Sequence, residues 1–431
     1  MILAHGVGRV YESPLPLALY LLGAAATVAA SFLLRALVGD TRPLGHERRL
    51  AGTTFSLVAG RVLRFAGVLL LALTVLSGAF TAEQGISLAP LLFWVGLIVG
   101  SLVLQAVVEG AWARSDPWIV MVRAVRSDDA SGAGRELPWW VGPAGIYLLF
   151  WFELVFPGGF DAFWIVVALL IYSLFVLTLR PQTNDERWAE ADPLHILFGF
   201  AGRCAPFRVD DDGLYYRGAL RGLDEPGPMP RALYWSVFVL LASTTLDNVR
   251  ETVGWSELRG SVGLASAPDM LIDSIALAAF TLLFLAPFLA TVWLAQRFVS
   301  SGLDFHGTAR RFGWSLIPIG VAYVLAHNAP LVLTSIPLVL RGLSDPLGRG
   351  WNLLGTGNAL QGFFPSPALV WFLEIALIVG GHILGVLAAH RTAVRLGRSH
   401  TEAVKSQYAL TVLMSLFTIT TLWLLSQPLV A

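Results

Sequence analysis

Long apolar segments alternate with short, arginine-rich polar loops along almost the whole chain. A helix that crosses a membrane needs about 20 mostly apolar residues, and ten segments approach that length. They run over 16–37, 60–80, 89–109, 141–157, 161–180, 231–248, 270–296, 312–337, 368–390 and 406–427. The pattern predicts an all-α, polytopic integral membrane protein with about ten transmembrane helices, folded as one domain over residues 1–431.

Composition agrees with a membrane protein. The 431 residues are 56% hydrophobic and 13% charged, whereas soluble domains carry about a quarter charged residues. The formal net charge is zero, so we expect the lipid bilayer, and not nucleic acid, as a partner. A single cysteine, Cys204, excludes an internal disulfide and a cysteine-rich metal site.

Arginine placement predicts the orientation of the helices. With both termini outside, the inner loops and helix ends hold 24 of the 29 lysines and arginines, as the positive-inside rule requires. The five outer ones are Arg9, Arg250, Arg259, Arg341 and Arg349.

The longest inner loop, 181–230, carries two structural signals. Asp192 can cap a helix that begins at Pro193, and this helix is too short to span, so we expect it at the membrane interface or buried in the cytosolic part. Asp212-Gly213 between apolar and aromatic residues predicts a small hairpin.

Ionisable residues fall at similar depths in several predicted helices, near their outer ends. Such residues are costly in a membrane and are candidates for function. The group comprises His327, Glu374, Glu153, Asp247 and Asp273.

The segment 312–337 adds a second signal to this group. Pro330 lacks an N–H and clashes with the carbonyl of Ala326, so we expect the helix to bend or open beside His327 and Asn328. Tyr323, one turn earlier, is placed to orient the imidazole. The alternative is a tolerated proline kink beside a buried, hydrogen-bonded histidine.

The stretch GGHILGVLAAH at 380–390 holds two further histidines. Gly381, Gly385 and Ala389 form a small-residue face for close helix packing. His382 beside this face is a candidate ligand for a metal or a haem, or else a packed, hydrogen-bonded histidine. His390 lies about 12 Å further along the helix, so the two histidines cannot share one metal ion, and His390 is expected at the interface.

Several stretches resemble a family of bacterial multi-pass membrane proteins often labelled fenitrothion hydrolase. They are HGVG at 5–8, SDPW at 115–118, DPLHILFGFAGRCAPF at 192–207, LASTTLDN at 241–248, AYVLAHN at 322–328, GGHILGVLAAHRTA at 380–393 and SQYALTVLM at 406–414. The resemblance implies a bacterial plasma-membrane location, and the label implies phosphotriester hydrolysis. Asp116 and Asn328 depart from the family pattern, and no metallohydrolase ligand set is recognisable.

Four functions follow from these signals. The first is binding or translocation of a small solute or metal ion through an outward-facing cavity lined by His327, Asn328, Glu374, Glu153 and Asp247. The second is an accessory subunit of a membrane complex. The third is a redox subunit with haem b ligated by His382 and either His327 or His390, and the last is an intramembrane organophosphate hydrolase. No nucleotide-binding or soluble-hydrolase motif is present.

Overall fold

The first half of the chain is helical with two short strands. The computed structural model describes residues 16–38, 46–81, 87–125, 135–225, 227–264, 266–298, 302–357 and 366–427. The motif at 5–8 and the residues Arg9, Arg42 and Arg126 lie outside these ranges. The elements are α1 (Leu17–Val38), β1 (Arg48–Ala51), α2 (Thr53–Phe80), a π-helical stretch (Leu91–Gly100) that continues into α3 (Ser101–Val107), β2 (Val108–Glu109), α4 (Ala111–Ser115), α5 (Trp118–Val125), α6 (Val141–Leu154) and α7 (Ala162–Leu179).

The second half contains the longest helices. Its elements are α8 (Asp185–Ala191), α9 (Pro193–Cys204), β3 (Phe207–Val209), β4 (Leu214–Tyr216), α10 (Arg231–Arg250), α11 (Val253–Ser261), α12 (Asp269–Gln296), α13 (Phe305–Gly313), α14 (Ile317–Ser344), α15 (Pro367–Leu396), α16 (His400–Ser406) and α17 (Tyr408–Leu425). Short 3-10 turns lie at Arg180–Gln182, Arg221–Leu223 and Trp314–Leu316.

Within the described ranges, eight helical segments are long and apolar enough to cross a membrane, which agrees with an all-α membrane protein. They contain α1, α2, α7, α10, α12, α14, α15 and α17. The remaining two predicted segments are helical but shorter, at Leu91–Val107 and Val141–Leu154. The count of ten crossings therefore depends on these two short helices and stays a prediction, as does the side on which the termini lie.

Four short strands form one sheet at one end of the helical bundle. The strand order is β1-β4-β3-β2, with β3 and β4 antiparallel and β2 parallel to β3. The predicted hairpin around Asp212-Gly213 is β3–β4. β1 and β2 were not predicted, because RRLA and VE carry no alternating apolar pattern.

Helix α9 lies buried beside this sheet. Asp192 accepts a hydrogen bond from the backbone N–H of Leu194, at 3.1 Å, and Pro193 occupies the first turn. Phe198 and Phe200 are fully buried on α9, so the helix lies within the protein core and its packing holds this end of the bundle together.

Ion pairs tie the arginines of several loops into this end, which we call the sheet end. Arg217 pairs with Glu109, Arg208 with Glu47 at 2.8 Å, and Arg203 with Glu225 at 2.5 Å. Arg391 and Arg395 both pair with Asp224. Loops that are far apart in sequence and were predicted to share one side of the membrane thus meet in the structure.

The small-residue face of α15 packs against α14. A Cβ added at Gly381 would lie 2.4 Å from Ala322 Cβ and 2.8 Å from the carbonyl oxygen of Pro318. A Cβ at Gly385 would lie 2.8 Å from the carbonyl oxygen of Ser315. The glycines are therefore required for close approach of the two helices.

Candidate functional site

A buried ion pair joins two long helices at the end of the bundle opposite the sheet. Asp247 lies in the last turn of α10 and His327 lies within α14, and His327 Nε2 is 2.5 Å from Asp247 Oδ2. Asp247 is only 2% exposed. Because a buried charge needs a compensating partner, this contact ties α10 to α14.

Arg250 extends the ion pair to two more helices. Its Nε donates to Asp247 Oδ1 at 3.2 Å, and its Nη1 donates to the backbone carbonyl of Leu154, at the end of α6. Nη1 also lies 3.8 Å from Asp273 Oδ2, at the start of α12. One guanidinium thus connects α6, α10 and α12.

Acidic side chains outnumber basic ones around this network. The carboxylates of Glu153, Glu251 and Glu374 interact electrostatically with His327. We call the whole group the acidic cluster; its members are Asp247, Asp273, Glu153, Glu251 and Glu374, with Arg250 and His327 among them. Among the described residues, these five carboxyl groups face Arg250 and His327, and Arg259 also acts on Asp273. The acidic groups remain in excess, which favours cations.

Two predicted members of the site have structural roles. The Tyr323 hydroxyl accepts a hydrogen bond from Asn248 Nδ2 at 2.9 Å, so Asp247, and not Tyr323, orients the His327 imidazole. Asn328 Nδ2 donates to the carbonyl of Val324 at 3.0 Å, within its own helix.

The predicted opening of the helix at Pro330 does not occur. Helix α14 runs without interruption from Ile317 to Ser344, with Pro330 and Pro337 inside it. The glycine face of α15 contacts the first two turns of α14, on the N-terminal side of both prolines.

His382 has the tautomer of a metal-ligating histidine but no space beside the glycines. Its Nδ1 lies 2.8 Å from the carbonyl oxygen of Ile378, so Nδ1 carries the proton and Nε2 holds the lone pair. The side chain is 2% exposed. Helix α14 fills the space beside Gly381 and Gly385, so these glycines serve helix packing, as the sequence predicts.

The other proposed haem ligands have protein partners. His327 contacts Asp247, and His390 Nδ1 lies 3.3 Å from Gln407 Nε2 at the sheet end. Within the described ranges, no three His, Cys, Asp or Glu side chains converge so that they could hold a metal ion. The described geometry therefore supports an ion-pair network more than a metal or haem centre.

A second buried polar group, at the sheet end, was not predicted as a cluster. Asp192 accepts from the Tyr172 hydroxyl at 2.7 Å, and Asp116 caps α5 through the N–H of Trp118 at 2.9 Å. Both line a small, partly open cavity of about 10 Å³, the space of one water molecule. Each aspartate precedes a proline, and this pair of Asp-Pro steps is the sequence signal for two helix caps.

Burial changes the protonation of this second group. It raises the pKa of Asp192 to about 7, and the nearby Asp116 carboxylate acts in the same direction. Burial also raises the pKa of Asp116, while Arg64 partly opposes this change. The pKa of the neighbouring His195 is lowered to about 4, again mainly by burial.

Comparison with known proteins adds no relative. No protein-family model matches the chain, and neither a curated protein nor a solved structure is significantly similar to it. The resemblance to the family labelled fenitrothion hydrolase therefore stays a prediction.

Proposed function

We propose that this chain binds a small solute at the acidic cluster and translocates it across a membrane. The observation that carries the proposal is the buried contact between His327 and Asp247, placed among an excess of carboxyl groups. Ionisable residues within membrane helices are rare and expensive, and they typically mark solute or proton pathways.

The network joins helices that would have to move relative to one another during transport. His327 and Arg250 connect α6, α10, α12 and α14 through contacts to Asp247, Leu154 and Asp273. A solute that competes for one of these contacts changes the coupling between the helices. Solute binding and helix movement are thereby linked.

The proposal includes the topology that the sequence predicts. The chain crosses the bacterial plasma membrane ten times, both termini lie outside, and the acidic cluster faces the outer side. The arginine-rich sheet end then lies in the cytosol, as the positive-inside rule requires.

The test is transport in proteoliposomes, measured as charge movement on a solid-supported membrane. The solutes tested for charge movement are Na⁺, K⁺, Zn²⁺, methylammonium and guanidinium. Electroneutral transport is measured separately, as counterflow of a neutral amino acid. We expect His327→Ala and Glu374→Gln to abolish the signal of whichever solute is moved. His390→Ala is the matched control, because His390 lies at the sheet end with Gln407.

Normal transport in both His327→Ala and Glu374→Gln would contradict the proposal. Absence of transport in the wild type, together with stoichiometric co-purification of other membrane subunits, would favour the accessory-subunit function.

A further inference from the structure

Asp273 holds a buried carboxylate oxygen without a hydrogen-bond partner. The residue lies in the first turns of α12 and is 8% exposed. Its Oδ2 is 3.8 Å from Arg250 Nη1, a separation longer than a hydrogen bond. Its Oδ1 has no partner in the described part of the chain. Other buried atoms of the described residues also lack a partner, among them His390 Nε2 and Gln407 Oε1, but Asp273 Oδ1 is the aspartate oxygen among them. A buried carboxylate oxygen without a partner can accept a hydrogen bond from a donor.

Aromatic side chains are fixed against the first turns of α12, where Asp273 lies. Trp151 Nε1 donates to Ser274 Oγ at 2.8 Å, and the Tyr147 hydroxyl donates to the Ser274 carbonyl at 2.8 Å. Ser274 directly follows Asp273. Both rings, together with Trp255, pack against the buried cluster formed by Ala242, Leu246, Ala276 and Leu277. An acid on a helix end that also carries aromatic rings suits an organic cation, because ring faces attract positive charge.

Arg250 shows what kind of cation the network accepts. Its guanidinium donates a hydrogen bond to Asp247 through Nε and another to the Leu154 carbonyl through Nη1. It lies 3.8 Å from Asp273, too far for a hydrogen bond. A guanidinium donates through a planar fork of N–H groups that matches carboxylate geometry. The protein's own side chain thus occupies part of a site for such a group.

We propose that Asp273 Oδ1 receives an N–H group of a small organic cation, an ammonium or a guanidinium, and that Arg250 competes with this cation. The inference rests on the proposed function and names its substrate class. A metal ion fits the site less well, because the described ranges hold no three-ligand group.

The experiment measures equilibrium binding of [¹⁴C]methylammonium and [¹⁴C]guanidinium to the full-length protein in detergent, by scintillation proximity. We expect Asp273→Asn to weaken binding of at least one probe by tenfold or more, because it removes the charge of the acceptor. Asp273→Glu keeps the carboxylate and should restore most of the affinity.

Asp269→Asn is the matched control. Asp269 lies one turn earlier on α12, and its carboxylate pairs with Arg259 at 2.6 Å on an exposed surface. Its neutralisation should leave affinity within twofold of wild type. Arg250→Gln should raise affinity several-fold, since it removes the competing guanidinium. Each variant is first compared with wild type by size-exclusion profile and melting temperature.

The outcomes separate the inference from the proposed function. Equal affinity of Asp273→Asn and Asp269→Asn in folded protein overturns the inference. Transport of another solute that depends on His327, without binding of either organic cation, also overturns it but leaves the proposed function in place. Wild-type behaviour of His327→Ala in every assay overturns the proposed function itself.

Discussion

Two buried aspartates at opposite ends of the bundle show how differently this chain treats a carboxyl group. Asp192, at the sheet end, is 2% exposed and accepts hydrogen bonds from the Leu194 N–H and the Tyr172 hydroxyl. Asp273, at the opposite end, is buried almost as completely but keeps one oxygen bare. Asp192 is therefore bound to partners within the protein, whereas Asp273 keeps a carboxylate oxygen that a ligand can contact.

The same contrast holds for the arginines around these aspartates. At the sheet end Arg217 and Arg208 pair with Glu109 and Glu47. At the opposite end Arg250 contacts Asp247 and lies 3.8 Å from Asp273, and Arg259 pairs with Asp269. Satisfied ion pairs stabilise a fold, and unsatisfied groups concentrate at functional sites.

The largest expected effect concerns Asp192, the aspartate at the sheet end. Asp192→Ala removes a helix cap and the partner of Tyr172, so we expect a loss of about 3 kcal/mol in unfolding free energy at pH 6. The measurement is SDS- or heat-induced unfolding in detergent, followed by tryptophan fluorescence. Asp192→Asn keeps an acceptor and should lose less than half as much; equal losses would show that the hydrogen bonds are not the cause.

The next effect concerns the contact between Asp247 and His327, at the end opposite the sheet. In a double-mutant cycle with Asp247→Asn and His327→Gln, we expect a coupling energy of about 2 kcal/mol in unfolding free energy, because the pair is in contact and Asp247 is buried. The control is the pair formed by Arg114 and Asp211, whose Asp211 side chain is fully exposed; it should show little coupling, because solvent screens the pair. Additive effects at Asp247 and His327 would mean that their contact contributes nothing.

A smaller effect appears as pH dependence at the sheet end. The folded-state pKa of Asp192 is about 7, above the usual 3.8, so the folded protein binds the proton more tightly than the unfolded chain. This contribution to stability is complete below about pH 4 and is lost as pH rises through 7. Between pH 6 and pH 8 we expect a decrease of about 1.4 kcal/mol.

The control for this pH dependence is Asp192→Asn, which cannot titrate. Melting curves at several pH values should show a shallower decrease for this variant. A parallel decrease in both proteins would assign the pH dependence to other groups.

The smallest effect is an expected lack of reaction at Cys204. Burial raises the pKa of its thiol to about 12, although Arg203 and Arg217 act in the opposite direction. Since the thiolate is the reactive form, labelling of native protein with a maleimide at pH 7.5 should be slow and should become fast after unfolding. Equal labelling rates before and after unfolding would contradict this expectation.

The apolar runs predicted the helices well, because length and composition alone decide whether a helix can cross a membrane. Asp192-Pro193 likewise predicted the start of α9, since capping is a local interaction. The prediction of ten crossings is weakest at the two short helices, Leu91–Val107 and Val141–Leu154. The length of these helices alone does not decide whether they cross the membrane.

The contacts of the site could be predicted only in part. His327 and Asp247 were both singled out by their depth, but their contact joins residues 80 positions apart and depends on how α10 packs on α14. Arg250 was classified as an outer arginine by charge counting, and no local spacing indicates that it bridges three helices. The lack of a hydrogen-bond partner at Asp273 Oδ1 results from tertiary packing, and the sequence carries no signal for it.

The four-stranded sheet also has a consequence for the order of events during synthesis. Arg49 in β1 donates a hydrogen bond to the carbonyl of Asp212, 163 residues later. At ribosomal speeds of about 5–20 residues per second, β1 waits roughly ten to thirty seconds for its partner strand. The early helices must therefore reach the bilayer before β1 can pair with β4. A nascent chain released before residue 214 would leave β1 without its partner strand.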